Sequence, residues 1–451
     1  MIVEVKKRLY SLSPAKLIVT FYFLAVTVSF LLLSLPFARK PGVEWTFIDA
    51  LFTAVSAVSV TGLTVVNTAD TFSLPGVFIL AFVLQFGGIG IMTLGTFIWI
   101  LFGKKIGLQE RRLIMMDQNQ SKLSGVVNLL KQILVLVLTI EIFGAIILGT
   151  YFMQYFPTWQ EAYLHGFFAS VSATTNGGFD ITGSSLVPFA NDYFVQMVNI
   201  ILITLGAIGF PVLIEVKNYI RSKQIQERYR FSLYTKLTTV TFFGLMVFGT
   251  VGIIVLEFNK FFADKAWHES FFYALFQAAT TRSAGLSTMD VSLFSQTTQL
   301  LLCFLMFIGA SPSSVGGGIR TTTFAIVLLT MFHFARGSRT VKVFRRELHE
   351  EDMRKALVVT LVAFMIWFTA VVFLTITESH DLIEIMFEVS SAFGTVGLSM
   401  GITPDLSTVG KIVIMILMFI GRVGILSFLY LLGRREVEAN YHYPKERVII
   451  G

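Results

Sequence analysis

The sequence predicts an all-α integral membrane protein of four tandem span–pore helix–span repeats. That makes eight transmembrane helices and four re-entrant pore helices around a pseudo-fourfold axis. Three observations predict it. The 451 residues are 55% hydrophobic and 14% charged, with a mean hydropathy of +0.74, whereas soluble chains carry roughly 25% charged residues. Long apolar runs recur along the whole chain, and one phrase ending in glycine recurs four times. The charge deficit excludes a soluble enzyme, a disordered chain and a nucleic-acid-binding module, in spite of a formal charge of +7.

The first apolar run, Lys16 to Pro36, has the length of a bilayer-spanning helix. Pro36-Phe37-Ala38-Arg39-Lys40 reads as a helix stop, and no small-residue cleavage site marks the run as a removable signal. Further spans are expected at 74–102, 126–153, 194–216, 235–258, 299–336, 355–377 and 408–432. Only the sixth is interrupted, by Ser311-Pro312-Ser313-Ser314-Val315-Gly316-Gly317-Gly318. Four shorter apolar segments, 47–58, 161–174, 267–281 and 383–394, cannot cross a hydrocarbon layer about 30 Å thick and are expected to be re-entrant. The chain then divides into units at 1–102, 103–216, 217–336 and 337–451. The only cysteine, Cys303, lies inside an apolar run, which excludes an intrachain disulfide and marks it as a small core hydrophobe.

Charge sets the orientation. With the N-terminus inside, the opposite face carries only Arg39, Lys40, Lys260, Lys265, Arg282 and Lys411 of the 35 basic residues. Arg320 and Arg422 fall within spans. The remaining bases crowd the inner loops and tails, so both termini are expected in the cytoplasm of a cell membrane. The outer face holds fifteen of the 28 acids. A negative vestibule concentrates cations there, although a solvated loop surface of arbitrary sign is the other reading.

Each short apolar segment runs into a similar phrase. These are Val60-Thr61-Gly62-Leu63, Asn176-Gly177-Gly178-Phe179, Ser283-Ala284-Gly285-Leu286 and Thr395-Val396-Gly397-Leu398. The third residues are spaced by 116, 107 and 112 positions, and a second glycine follows each at Gly87, Gly206, Gly309 and Gly421. One glycine in a membrane segment usually serves helix packing. Four in register favour a pore, because non-helical backbone at membrane depth must line a cavity or be buried in protein. Carbonyls turned to one axis at such loops replace the hydration shell of a monovalent cation. The C-terminal ends of the four pore helices add negative potential at the same place.

These features resemble the Trk/Ktr/HKT superfamily of potassium transporters. Thr395-Val396-Gly397 is close to the potassium-channel filter triad. Within the superfamily, Leu51-Phe52-Thr53-Ala54, Gly87-Gly88-Ile89-Gly90 and Phe419-Ile420-Gly421-Arg422 are similar to the membrane subunit of Ktr-type systems. The resemblance spans essentially the whole chain. It implies a bacterial, homodimeric K+-uptake subunit with one pore per protomer, with Na+ promoting transport. It also implies a cytosolic ring of Rossmann-type regulatory subunits that bind ATP or ADP. This chain carries no Gly-x-Gly-x-x-Gly after a strand, so any nucleotide site is expected on that partner, and no organic cofactor here. A channel or carrier for Na+ or ammonium is the alternative.

The resemblance places a K+ filter on the backbone carbonyls of Val60, Thr61, Gly62, Asn176, Gly177, Gly178, Ser283, Ala284, Gly285, Thr395, Val396 and Gly397. It places a gate at Arg422 and at the loop containing Gly309, Ser311, Pro312, Ser313, Ser314, Gly316, Gly317 and Gly318. A cation at membrane depth marks an ion pathway or a buried partner, so Arg422 is either a gate residue or half of a structural ion pair. The loop is either a movable plug or a static kink. Glu141, mid-span, is an ion site or the partner of a polar group on a neighbouring helix. Arg282 is expected to brace the filter from behind. The six histidines show no metal-ligand spacing, and no nucleophile–base pair appears.

Overall fold

The computed structural model describes residues 14–90, 111, 125–224, 229–338, 340–432, 444, 446 and 449. It is mostly helical. The helices fall into four groups: α1 (Pro14–Leu33), α2 (Phe47–Ser59) and α3 (Leu74–Ile89); then α4 (Val126–Phe152), α5 (Trp159–Thr174), α6 (Tyr193–Ala207) and α7 (Phe210–Gln224). The third group is α8 (Leu233–Glu257), α9 (Trp267–Thr280), α10 (Gln296–Ile308) and α11 (Thr321–Ala335). The last is α12 (Glu350–Thr377), α13 (Leu382–Gly394), α14 (Thr408–Val423) and α15 (Ile425–Leu432). Two short strands, β1 (Lys342–Val343) and β2 (Arg346–Glu347), pair antiparallel between α11 and α12.

Among the described residues, four helices are long and apolar enough to cross a membrane: α1, α4, α8 and α12. Two further spans, 194–216 and 408–432, were expected to be continuous, and the structure corrects both. Each is a pair of helices bent by 102°, α6 with α7 and α14 with α15. Glycine supplies the break, since Gly209 sits at φ 104° and Gly424 at φ 85°, conformations closed to a helical residue. Pro211 follows in the first turn of α7, where its missing N–H costs nothing. The expected interruption of the sixth span is present as the segment between α10 and α11. Of the expected span 74–102, the part beyond Gly90 lies outside the described residues.

The four short helices α2, α5, α9 and α13 have 13, 16, 14 and 13 residues, or about 20–24 Å at the helical rise. Their starts are written in the sequence. Thr46 and Asp49 form a reciprocal capping box on α2, Asp381 and Glu384 another on α13, and Thr158 caps α5. Capping satisfies N–H groups at the starts of these three helices, whereas α9 follows Ala266 and has no side-chain cap.

One joint recurs in each group where the second long helix begins. Ser73 at the start of α3 donates to the Phe37 carbonyl (2.5 Å), and Tyr155 donates to Asp192, the cap of α6 (2.5 Å). Glu257 accepts from the Ser295 hydroxyl (2.6 Å) ahead of α10, and Glu378 from the Ser407 hydroxyl (2.5 Å) ahead of α14. Different chemistry thus closes the same corner four times. Each bond ties the chain at the end of the first helix of its group to the start of the helix that follows the short one.

Candidate functional site

Each short helix ends in the same backbone figure. Val60, Asn176, Ser283 and Thr395 take left-handed φ angles of 54°, 53°, 82° and 47°, and the glycine two residues on follows at 86°, 68°, 71° and 98°. A hydroxyl inside the helix secures the turn. Ser56 donates to Leu63 O (2.7 Å), Ser172 to Phe179 O (2.6 Å) and Thr280 to Leu286 O (2.6 Å), while Ser391 accepts from the Gly397 N–H (3.0 Å). In the third loop the hydroxyl comes one position later, from Thr280, because Ala279 stands where the other loops have Ser56, Ser172 and Ser391.

The four loops close on one another. A Cβ built on Gly62 would lie 2.7 Å from Gly177 O, one on Gly178 3.1 Å from Ala284 O, one on Gly285 2.4 Å from Val396 O, and one on Gly397 2.1 Å from Thr61 O. Each glycine therefore faces the carbonyl that precedes the glycine of the next loop, and the fourth returns to the first. Only glycine satisfies both the φ angle and the clearance. All twelve residues named from the sequence as filter candidates fall in these loops. The side chains of Val60, Thr61, Asn176, Ser283, Ala284, Thr395 and Val396 are buried. With helix C-termini behind the loops and carbonyls between them, the arrangement suits a cation and repels an anion.

The second set of recurring glycines brings the long helices against this ring. A Cβ on Gly87 would sit 2.1 Å from Val60 Cγ2, one on Gly206 2.2 Å from Thr174 O, and one on Gly421 2.0 Å from Phe393 O. The third group departs here. α10 stops at Ile308, Gly309 turns at φ 71°, and the segment 309–320 folds in below the third and fourth loops.

That segment is held on every side. Ala310 N donates to Gly317 O (3.2 Å), Ser311 N to Ala207 O (3.0 Å), Val315 N to Gly206 O (3.3 Å), and Phe210 N to Ser313 O (2.8 Å). Tyr234 donates to Pro312 O (2.6 Å). The guanidinium of Arg422 donates to Val315 O and Gly87 O, and that of Arg320 to Gly316 O and, at 3.4 Å, to Ser311 O. Gly309, Ser311 to Ser314, Gly316 to Gly318 and Arg422, the residues named from the sequence as a gate, are therefore brought together.

Beside them lies a cavity of about 250 Å³ lined by Tyr22, Gly88, Phe210, Ser313, Arg320 and Arg422, among others. α7, α11 and α15 all begin at this cavity, so three positive helix ends join two guanidinium groups. Arg320 was noted in the sequence only as a charge within a span. Its spacing after the glycine triplet carried no signal of what it binds.

Two other residues find partners. Glu141 accepts from the Gln85 amide at 2.8 Å through both oxygens, tying α4 to α3. Arg282 is fully buried and donates to Leu305 O (2.9 Å) and Gly309 O (3.2 Å) at the end of α10. It anchors the third loop to the helix behind it.

A helical membrane protein with four backbone loops closed into a ring of carbonyls is the class that this geometry defines. The TrkH family, described as cation transport protein, matches residues 12–440, and the chain belongs to it. It is 67% identical to the Ktr system potassium uptake protein D of Bacillus subtilis over 99% of both chains. It is 35% identical to the potassium/sodium uptake protein NtpJ of Enterococcus hirae, again over 99% of both. The crystal structure of the potassium transporter TrkH from Vibrio parahaemolyticus shares the fold, with a TM-score of 0.71 at 20% identity, covering 91% of this chain and 84% of that one.

Proposed function

We propose that this chain is the K+-translocating subunit of a Ktr-type uptake system in a bacterial cell membrane. In this reading the four groups of helices are span–pore helix–span units around one pore, and both termini are cytoplasmic. K+ sheds water at the carbonyls of the four loops. The 309–318 segment and Arg422 close the path beneath, where Arg320 and three helix ends add a positive barrier. The observation that carries the reading is the closed ring in which each glycine faces the carbonyl before the next. The names of the relatives at 67% and 35% identity support K+ as the cargo.

The same reading makes the working assembly a homodimer that docks a cytosolic nucleotide-binding regulatory ring, with Na+ promoting transport. The relative named as a potassium/sodium uptake protein keeps Na+ as the competing cargo. Rubidium and sodium fluxes through purified protein in liposomes separate the two. Rubidium uptake that potassium competes away and sodium does not is the expected result. Equal sodium uptake would overturn K+ selectivity.

A further inference from the structure

One hydroxyl stands between the ring and the segment beneath it. The Ser283 side chain is fully buried. Its Oγ lies 2.6 Å from Thr395 O, 3.2 Å from Gly394 O, 3.1 Å from Thr395 Oγ1 and 3.2 Å from Gly317 N. A hydroxyl has one proton and two lone pairs. Gly317 N–H can only donate, so Ser283 Oγ accepts there. The shortest contact takes the Ser283 proton to the Thr395 carbonyl, and the second lone pair is left for the Thr395 hydroxyl. One oxygen atom thus accepts from the 309–318 segment and donates to the Thr395 carbonyl, one residue before the Val396 carbonyl that faces Gly285.

The other loops lack this link. Val60 has no polar side-chain atom, and the Asn176 amide has no hydrogen-bond partner among the described residues. The four equivalent side chains also rest on different floors. Val60 packs on Gly87, Asn176 on Gly206 and Thr395 on Gly421, all glycines of the long helices. Ser283 packs instead on Gly316, whose added Cβ would lie 2.5 Å from Ser283 Cβ. The Thr395 side chain meets the segment as well, since a Cβ on Gly317 would lie 2.5 Å from Thr395 Oγ1. Movement of the segment therefore removes packing from the third and fourth loops, and the N–H from one hydroxyl, that of Ser283.

We infer that Ser283 is a positioning residue that couples the 309–318 segment to the ion ring. With Gly316 and Gly317 seated, donation by Gly317 N–H polarises the Ser283 hydroxyl and strengthens its bond to the Thr395 carbonyl. A carbonyl engaged in that way is a poorer ligand for a cation. When the segment withdraws, the bond relaxes and the carbonyl is released to the ion. Affinity for K+ is thereby lower while the path is shut and higher once it opens. This inference rests on the reading of the ring as a filter and of the segment as a gate.

The test compares parent, Ser283→Ala, Ser283→Thr, a deletion of 311–317, and that deletion combined with Ser283→Ala, each in liposomes. KM for K+ and maximal flux are read separately. Ser283→Ala is expected to lower KM for K+ severalfold in the full-length chain. Ser283→Thr, which keeps the hydroxyl and places at 283 the residue type found at 395, is expected to restore the parent KM. In the deletion background Ser283→Ala is expected to shift KM much less than it does in the full-length chain. An equal KM shift in both backgrounds, or none in the full-length chain, overturns the coupling. If Ser283→Ala does not reach the membrane, Ser283→Cys, with its weak donor, carries the same comparison. A deletion that leaves maximal flux at the parent value overturns the gating reading by itself, and the two-background KM comparison still decides the coupling.

Discussion

Arg422 donates a hydrogen bond to the carbonyl oxygen of Val315, and its second terminal nitrogen reaches Gly87 O. One side chain on α14 therefore clamps the segment after α10 against the end of α3. Arg422→Ala removes both bonds and one positive charge from the cavity. It should increase K+ flux, and deleting residues 311–317 should do so more strongly. Selectivity should stay nearly constant in both, because no residue of the four loops is changed. Liposome flux assays decide it, and an inserted deletion protein that conducts no faster than the parent would make the segment a structural kink.

The ring glycines should not be equally sensitive. The clearance for an added Cβ is smallest at Gly397 and Gly285, larger at Gly62 and largest at Gly178. A side chain held at a positive φ costs about 1–3 kcal/mol before any clash. Gly62→Ser should thus lower K+ affinity roughly tenfold or more, or erode the preference for K+ over Na+, with insertion intact. Alanine at 397 should be the most damaging of the four and alanine at 178 the least. Unchanged affinity and preference in Gly62→Ser would remove Gly62 from the filter.

At the N-terminal end of α2, Asp49 meets Lys411 of α14 at 3.0 Å. Burial pulls the Asp49 carboxyl up, but the bonds from Thr46 and Lys411 outweigh it and hold the group below its ordinary value. A depressed carboxyl stabilises the fold above its unfolded pKa, near 4, and loses that contribution as pH falls through its folded pKa. Asp49→Asn should therefore cost about 1 kcal/mol at neutral pH. In detergent, the gap in melting temperature from the parent should narrow as pH drops below about 4. A gap that stays constant across that window would show that the pair contributes nothing through charge.

The partner can be sought directly. A tagged chain should pull down a cytosolic nucleotide-binding protein from its own cell, and charge reversal within 336–355 should weaken the capture. In that stretch β1 and β2 present Phe344 and Arg345 at left-handed φ angles of 50° and 63° on an exposed turn. Full transport by the chain alone, unaffected by any such protein, would count against the partnership.

The ring was legible in the sequence because its requirement is local. A left-handed turn that must also clear a neighbouring carbonyl admits glycine alone, so Gly62, Gly178, Gly285 and Gly397 stand out at regular spacing. The loop joining α10 to α11 was legible for a similar reason, since Ser311 to Gly318 cannot continue a helix. The bends at Gly209 and Gly424 were not. A hydropathy window averages across one glycine, and Phe210 and Ile425 restore the apolar signal at once. Nor could spacing show that Arg320 and Arg422 converge on one segment, because their partners are backbone carbonyls, which every residue carries.

The early end of α10 has a meaning for how such a ring of loops can diversify. In an assembly of identical subunits every change appears at all sides of the axis, so a plug in one subunit becomes a plug in each. Here the four sides are written separately within one polypeptide. Gly309 ends its helix three residues before the position at which Gly90, Gly209 and Gly424 end theirs. One side thereby carries an inserted segment, 309–320, that the other three lack. Division of labour among copies is what the single chain makes available.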